Sequence, residues 1–374
     1  MNARIDMAAV RGLFSRLAAR GAPGLPIGVD FAAESLNMMQ VDAVPGGARV
    51  RAAVSLPYPI ERSRLLADPR ALRAFVRGAL AAAPFSGRRM VGALAPSEVR
   101  ILPLTVNVPA GQNEQQAVGR AVREQLGAAA AESVVDYYQV RSADAAGSEK
   151  QVLAAVAPTA TVVNYLEALR GAGLDPVALD IGPAAIARLL AAMHREDYGQ
   201  SVLLINFGST RSYLTVIWGR RLMLDREIEL GETTLVSKVA TTLGLDARTA
   251  LALLRQHGTG AVAGHEPGSA TPDMGRTIRE ILHSEFAALA EELVRTQVYV
   301  ASRTRGSTVS KVYLNGSVAR YANIPQRIAQ LVHLPVEVLD PFTAFADMDK
   351  DRGAQQMHGI ALAAGLALRG VEHG

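Results

Sequence analysis

The sequence contains no cysteine, which removes several classes of chemistry from consideration. Without a thiol, the chain cannot form a disulfide, a catalytic thiolate or a zinc–thiolate site. The absence of cysteine also fits a reducing compartment. The seven histidines are scattered, and none lies four residues from another beside a glutamate. A helical metal-binding motif is therefore not indicated.

Long apolar runs are also lacking. No segment approaches the ~18 apolar residues that are needed to cross a bilayer, and the N-terminus lacks the apolar centre of a signal peptide. We therefore expect a cytoplasmic protein. Aromatic residues make up only 5% of the chain, the net charge is +4, and no run of five like charges occurs. These values do not favour a surface that binds nucleic acid.

What the sequence does contain is enough apolar material for several cores. Its 374 residues are 49% hydrophobic and 20% charged, and this length predicts about two to four domains or subdomains. Strand-like and helix-like patterns alternate in both halves of the chain, which is typical of an α/β architecture. The longest amphipathic helical pattern covers residues 277–302.

The segment Ser201–Leu224 shows the clearest strand pattern. An apolar run leads into a polar turn, an alternating run follows at Tyr213–Trp218, and a second glycine break precedes the last strand. Period-two alternation bounded by glycine predicts a meander of strands. In the first turn, Gly208, Ser209 and Thr210 combine a flexible backbone with small hydroxyls. Such a turn could hold phosphate, or it could be a plain hairpin.

A similar segment occurs near the N-terminus. Val29–Leu36 contains a strand, the acid Asp30, a turn of small residues and a return strand, and Ile205–Ser212 repeats this order 176 residues later. Two such units predict a duplicated domain whose turns face a common cleft, although two short windows could also match by chance. A third element, Val312–Ser317, runs from a strand into a glycine turn. Backbone amides at such a turn can contact a nucleotide.

These three elements resemble the phosphate-1, phosphate-2 and adenosine segments of the actin-like ATPase superfamily, and the chain most resembles its PilM and FtsA family. The similarity covers most of residues 26–370. No single segment is specific, but their order and spacing are. The further segments that carry it are Asp136–Tyr138, Val163–Leu166, Ala172–Pro176, Glu229–Glu232, Glu285–Leu293, Leu334–Phe342 and Ala364–Arg369.

The resemblance implies an α/β, ribonuclease H-like fold of two lobes around a nucleotide cleft, with an inserted 1C subdomain. An N-terminal amphipathic arm is predicted at 1–25, from a basic helical pattern at 1–20. The implied division of the rest is lobe 1 at 26–95, 181–197 and 346–374, the inserted subdomain at 96–180, lobe 2 at 198–230 and 307–345, and subdomain 2B at 231–306.

The resemblance also implies a scaffold at the inner membrane. Such proteins form a cytoplasmic platform that captures the short N-terminal tail of a bitopic membrane protein, PilN in type IV pili or its analogue in type II secretion. They couple this protein to the assembly ATPase. We therefore expect the chain to be cytoplasmic and peripheral to the inner membrane, and we leave its self-association open.

The chain departs from the family pattern at the first hairpin. The family has an acid, a glycine and a run of hydroxyls, with a lysine soon after. Here Asp30 remains, but Ala32–Glu34 fills the turn, and Asn37 or Met38 stands in place of the lysine. A carboxylate at Glu34 would repel polyphosphate. This hairpin is therefore predicted to bind nucleotide poorly.

The second hairpin departs as well. It begins with Asn206, where the family has an aspartate that helps to position Mg²⁺ and the attacking water. An amide binds a hard cation less well and cannot act as a base. The segment that flanks adenosine in the family reads Ala250–Arg255 here, with Arg255 as a partial substitute for its polar residues. We predict no catalytic residue and no metal site, and we leave open whether ATP with Mg²⁺ binds.

If the cleft binds nucleotide, the resemblance assigns it to Asp30, Ala33, Ser35, Asn206, Gly208, Ser209, Thr210, Gly231, Glu232, Gly316 and Ser317. Two alternatives remain. An active ATPase would use Asp30 with a relocated acid such as Glu232, and an FtsA-like polymer would bind membrane through the helix at 1–20.

Apolar residues alternate along one run of the inserted subdomain, at Leu102, Leu104, Val106 and Val108. This alternation predicts a strand whose apolar side chains face the core, or an exposed edge strand to which a partner adds.

Overall fold

The computed structural model describes residues 25–109, 111–140, 149–195, 199–259, 274–346 and 359–371, so the predicted N-terminal arm lies outside the described residues. The chain divides into two compact units. Unit 1 takes the described residues up to 194 and those from 341 onward, and unit 2 takes those from 195 to 340. Strands and helices alternate in both units, which confirms the predicted α/β class.

The strands are β1 Ile27–Phe31, β2 Ser35–Val44, β3 Gly47–Pro57, β4 Arg89–Ala93, β5 Arg100–Asn107, β6 Ser133–Gln139, β7 Glu149–Pro158, β8 Asp175–Asp180, β9 Ser201–Phe207, β10 Ser212–Trp218, β11 Arg221–Ile228, β12 Val309–Gly316 and β13 Val336–Val338. The helices are α1 Arg62–Ala67, α2 Pro69–Ala81, α3 Glu114–Leu126, α4 Thr159–Gly171, α5 Gly182–Met193, α6 Glu232–Leu243, α7 Ala247–His257, α8 Met274–Ile281, α9 His283–Arg303, α10 Ile324–Val332 and α11 Ala361–Ala367.

The two units repeat one sheet topology. Unit 1 has a five-stranded sheet in the order β3-β2-β1-β4-β8, and unit 2 has one in the order β11-β10-β9-β12-β13. In each sheet the first three strands form an antiparallel meander, and two further strands add in parallel beside the first. The predicted duplication is therefore present at the level of topology.

The meander predicted for Ser201–Leu224 is confirmed as β9, β10 and the start of β11. Gly219 and Arg220 join β10 to β11 with φ angles of 51° and 66°. Two consecutive left-handed residues make the type of tight turn that matches the twist of antiparallel strands. The glycine break in the pattern thus marks a two-residue hairpin turn.

A third sheet, in the order β5-β7-β6, carries α3 on one face. Leu102 and Val106 are buried in its core, together with Val118 and Val122 of the helix. The alternation along β5 is therefore core-facing. Pro103 lies in the middle of this edge strand, and the missing N–H of a proline weakens an edge as a template for strand addition.

The segments after β7 belong structurally with the first sheet. β8 pairs with β4, and Tyr165 and Leu169 of α4 are buried in the same core as β1. The three-stranded sheet and its helix thus lie within residues 100–158, whereas the sequence grouped α4 and β8 with the insertion at 96–180. The exact limits of the subdomains stay a prediction.

The helix predicted at 277–302 is interrupted. It forms α8 and α9 with Leu282 between them, at φ −90° and ψ 9°. Ile278, Leu282 and Phe286 are all buried, so the spacing of four between apolar residues continues through the break. Periodicity therefore could not reveal it. None of the helices in the described ranges is long and apolar enough to cross a membrane.

Candidate functional site

The first hairpin places Asp30 at the end of β1, directly opposite Asn37 of β2. The amide nitrogen of Asn37 donates to a carboxylate oxygen of Asp30 at 3.3 Å. The amide oxygen of Asn37 accepts from the hydroxyls of Ser35 at 3.2 Å and Ser55 at 2.7 Å. These contacts fix the orientation of Asn37. A neutral donor therefore faces Asp30 at Asn37, one of the two positions at which the resemblance implies a lysine.

Burial governs the acidity of Asp30. The side chain is 8% exposed, and this burial raises its pKa to about 6, against the lowering effects of Asn37 and of the Arg62 charge. A buried carboxylate that lacks a close cation holds its proton more tightly. Asp30 is thus a weaker acid than an exposed aspartate.

The turn after β1 is held by side chains from the segment that follows β3. Arg62 Nε donates to the carbonyl of Phe31 at 2.9 Å, and the hydroxyl of Tyr58 donates to the carbonyl of Ala32 at 2.9 Å. Ala33 and Glu34 are exposed at the tip. The turn is therefore shaped by contacts within unit 1, and its exposed carboxylate would oppose a phosphate.

In unit 2, the residue that matches Asp30 is the neutral Asn206, and the side chain that faces it is also neutral. Asn206 of β9 lies in register with Asn315 of the parallel strand β12. The amide nitrogen of Asn315 donates to the amide oxygen of Asn206 at 3.0 Å. The oxygen that an aspartate would use for a metal ion or water is thus already engaged by a neighbouring strand. This pairing could not be read from the sequence, because the two residues lie 109 positions apart.

At three turns of unit 2, the backbone of another segment comes so close that only glycine fits. A Cβ atom on Gly208 would lie 2.2 Å from the carbonyl oxygen of Arg211, and one on Gly231 would lie 2.4 Å from that of Ser209. At Gly316, which has a φ of +92°, it would lie 2.0 Å from the carbonyl oxygen of Phe207. The close approach at these turns is between backbone segments, so these glycines alone do not indicate a ligand.

The second hairpin is closed by the start of α6. The amides of Glu232 and Thr233 donate to the carbonyls of Gly208 and Ser209 at 3.1 and 2.8 Å. A helix N-terminus attracts phosphate through its free amides, and these two are already occupied by the turn. Ser209 and Thr210 are exposed, and the Ser209 hydroxyl lies 3.3 Å from that of Thr233.

The segment that follows β12 contacts both the second hairpin and the start of α6. The amide of Ser317 donates to the carbonyl of Phe207 at 3.2 Å, and the hydroxyl of Tyr321 donates to Glu232 at 2.8 Å. The Ser317 hydroxyl is buried and has no hydrogen-bond partner. A buried hydroxyl without a partner is costly and would suit a polar ligand atom. This is the one feature of the group that fits a bound nucleoside.

The structure therefore assembles the predicted residues in two groups. Unit 1 holds Asp30, Ala33 and Ser35 at one hairpin, and unit 2 brings together the glycine turns that begin at Asn206, Gly231 and Gly316. Within the described ranges, no group of three or more acidic or histidine side chains could hold a metal ion. The roles of these residues in binding nucleotide or a metal ion stay predictions. The sequence reasoning missed Arg62, because its contact with Phe31 spans 31 residues.

Comparisons with known proteins agree on the fold. A family model described as type IV pilus assembly protein PilM matches residues 28–371. A chain of a PilM-PilN type IV pilus biogenesis complex superimposes with a TM-score of 0.72 at 24% identity, covering 92% of this chain and 98% of that one. This likeness confirms the predicted actin-like fold.

More distant structures also align. The ethanolamine utilization protein EutJ from Carboxydothermus hydrogenoformans gives a TM-score of 0.49 at 14% identity, covering 93% of this chain and 90% of that one. MreB5 of Spiroplasma citri bound to AMPPNP gives 0.45 at 11% identity, covering 87% and 94%. Curated protein sequences gave no match.

Proposed function

The chain belongs to the family of the type IV pilus assembly protein PilM, and from that premise we propose that it is an actin-like scaffold with a degenerate nucleotide site. It works at the cytoplasmic face of the inner membrane, in a type IV pilus or type II secretion platform. Its partner is the cytoplasmic tail of a PilN-like bitopic membrane protein, and this assembly connects to the assembly ATPase. The observation that carries the proposal is family membership combined with the neutral amide at Asn206.

The geometry of the hairpins supports loss of hydrolysis. Phosphoryl transfer needs a metal ion on the phosphates and a residue that orients the attacking water. Asn206 has no carboxylate with which to bind the metal ion or orient the water, and its amide oxygen accepts a hydrogen bond from Asn315. Asp30 is faced by an amide rather than a cation. Glu232, the acid that an active ATPase could use instead, accepts a hydrogen bond from Tyr321. The exposed Glu34 adds repulsion at the first turn.

A docking place for the tail is suggested by segments that carry the family resemblance without any nucleotide chemistry. Asp136–Tyr138 lies on β6 and Val163–Leu166 lies on α4, and these two elements are in contact within unit 1. Tyr165 is buried in the core, so it has a structural role. Val163 is 36% exposed and Asn164 beside it is also exposed. We place the tail across this surface, called here the α4–β6 surface.

The tail contact can be tested by titrating a labelled peptide of the partner's N-terminal tail into the full chain. We expect Val163→Asp to weaken binding at least about tenfold, because a carboxylate would have to be buried against an apolar contact. Val294→Asp is the matched control, since Val294 is also an exposed valine on a helix, α9 of unit 2, with 54% exposure. A peptide that binds both variants equally would exclude the α4–β6 surface, and a wild-type chain that does not bind would exclude the scaffold role.

The nucleotide part has its own experiment. Calorimetric titration with Mg·ATP should give weak binding or none, and incubation should release no phosphate. Tight binding with turnover that Asp30→Ala abolishes would establish an active ATPase instead. Because the peptide titration is done without nucleotide, the two halves of the proposal succeed or fail separately.

A further inference from the structure

Helix α3 and strand β6 border a pocket of about 450 Å³, called here the α3 pocket. Its floor is formed by Val118 and Val122 of the helix and by Val135 of the strand, which belong to or pack against the apolar core between α3 and the sheet. This volume lies within the range of ligand pockets in proteins. The floor therefore offers a place for an apolar group.

Gly119 keeps the α3 pocket open, although the fold does not require glycine at this position. It lines the pocket, and within the described residues an added Cβ would meet only Nη1 of Arg123, at 3.6 Å, apart from the backbone of its own helix. Glycine in a helix interior is less favourable than alanine, because it loses more conformational freedom on folding. Position 119 thus weakens α3 and leaves room for a ligand beside it.

The charge of the α3 pocket comes from Arg123. It is the one charged residue among the described residues that line the pocket, and its guanidinium lies beside Gly119. Glu114, the acid at the start of α3, is already engaged, because its carboxylate accepts from Lys150 Nζ and Gln139 Nε2, both at 2.6 Å. The planar fork of donors on an arginine matches the two oxygens of a carboxylate.

The rim of the pocket matches a peptide. Gln115 and Gln116 line it, and a side-chain amide both donates and accepts hydrogen bonds, as a peptide group does. A doubly charged phosphate would meet a single cation above an apolar floor, whereas a carboxylate next to an apolar side chain is matched by both. The lining thus favours a peptide that carries one acid beside one apolar residue.

We propose that the α3 pocket binds a segment of a partner protein in which an apolar side chain lies next to an aspartate or glutamate. The apolar side chain contacts the valine floor, and the carboxylate pairs with Arg123. This site is separate from the α4–β6 surface. Successive side chains of a strand point to opposite faces of the sheet, so Asp136 and Tyr138 point away from the face on which Val135 packs against α3.

The probe is a fluorescently labelled hexapeptide with the repeating sequence Leu-Glu, so that every register presents an apolar side chain beside a carboxylate. It is added to the full chain at about 0.15 M salt, where distant exposed charges are screened, and followed by anisotropy. We expect saturable binding. The corresponding Leu-Gln and Gly-Glu hexapeptides should bind at least about tenfold more weakly, because each lacks one of the two groups that the pocket holds.

Substitutions on α3 locate the peptide. Arg123→Gln should weaken binding about tenfold, as expected for the loss of one charge-assisted contact. Arg120→Gln is the matched control, because this exposed arginine lies on the same helix, does not line the pocket and gives the same change in net charge. Gly119→Leu should also weaken binding at least about tenfold, because its side chain would occupy the pocket.

Thermal unfolding of the free variants separates binding from structure. Gly119→Leu should unfold at the same temperature as the wild type or higher, because leucine is a better helix former than glycine. A lower unfolding temperature would show that the chain itself fills this space, and it would overturn the proposal. So would a Leu-Glu peptide that does not bind or that binds Gly119→Leu as tightly as the wild type, a control peptide that binds as tightly as Leu-Glu, or an equal loss of binding in Arg120→Gln and Arg123→Gln.

Discussion

Replacing Asp30 with asparagine should stabilise the protein at alkaline pH and have a smaller effect in acid. In the folded chain, burial raises the pKa of Asp30 from 3.8 to about 6. The folded state therefore binds more protons than the unfolded state between about pH 4 and pH 6, and stability falls as pH rises through that window. Above about pH 6 the full penalty of a buried carboxylate remains.

The size of the effect follows from the two pKa values. At 1.36 kcal/mol per pKa unit, the ionised carboxylate costs about 3 kcal/mol at pH 8, and about 1 kcal/mol at pH 4.5. Asparagine has no charge to bury and can still accept the hydrogen bond from Asn37. Its extra N–H group can lower the gain by about 1 kcal/mol at both pH values if it finds no acceptor. The change of about 2 kcal/mol between pH 4.5 and pH 8 is therefore the more robust quantity.

The assay is urea unfolding of the wild type and Asp30→Asn at pH 4.5 and pH 8, followed by far-ultraviolet circular dichroism. Burial also raises the pKa of Asp225 in unit 2, to about 7, but this residue is common to both proteins and cancels in the difference. Asp225→Asn serves as a comparison, because its effect should appear in the fluorescence of Trp218, on the adjacent strand β10. Equal stability differences at the two pH values, or a less stable variant at pH 8, would refute the reasoning.

Three other substitutions test the packing. Asp180→Ala should lower the free energy of unfolding by about 3–5 kcal/mol, because it leaves Arg188, whose side chain is only 12% exposed, without the carboxylate that it shares with Arg369; urea unfolding by circular dichroism measures this. Gly316→Ala should cost more than about 2 kcal/mol in the absence of ATP, since the added Cβ would overlap a backbone oxygen; a variant that folds normally and loses only nucleotide binding would contradict this. Gly119→Ala should stabilise α3 by about 0.5–1 kcal/mol, since its Cβ would make only an ordinary contact, and an unchanged or lower unfolding midpoint would count against it.

The sequence predicted the sheets well, because the signals for them are local. Period-two alternation with glycine breaks identified β9, β10 and β11, and the echo of Val29–Leu36 in Ile205–Ser212 anticipated the repeated topology. The same signals could not show that Leu282 separates α8 from α9, since apolar spacing is unchanged there. They also could not show that β8 joins the first sheet, because strand partners are chosen by packing across the whole unit.

The candidate site was predicted by residue type and only partly by role. Asn206 and Asp30 were identified from their places in two hairpins, but the amides that face them come from Asn315 and Asn37. The turn at Gly208 suggested a place for phosphate, and the resemblance assigned Gly231 and Gly316 to the same cleft; the structure shows that each glycine makes room for backbone. Both outcomes depend on which segments meet in three dimensions.

Sequence alone thus determined the α/β class, the duplicated hairpins, the family resemblance and the neutral residue at position 206, where the resemblance implies an aspartate. Tertiary structure decided what surrounds each group: the burial that weakens Asp30 as an acid, the side chain of Arg62 at the first turn, and the pairing of Asn206 with Asn315. The physical reason is range. Backbone patterning depends on neighbours a few residues away, whereas burial and charge depend on contacts between residues tens to hundreds of positions apart.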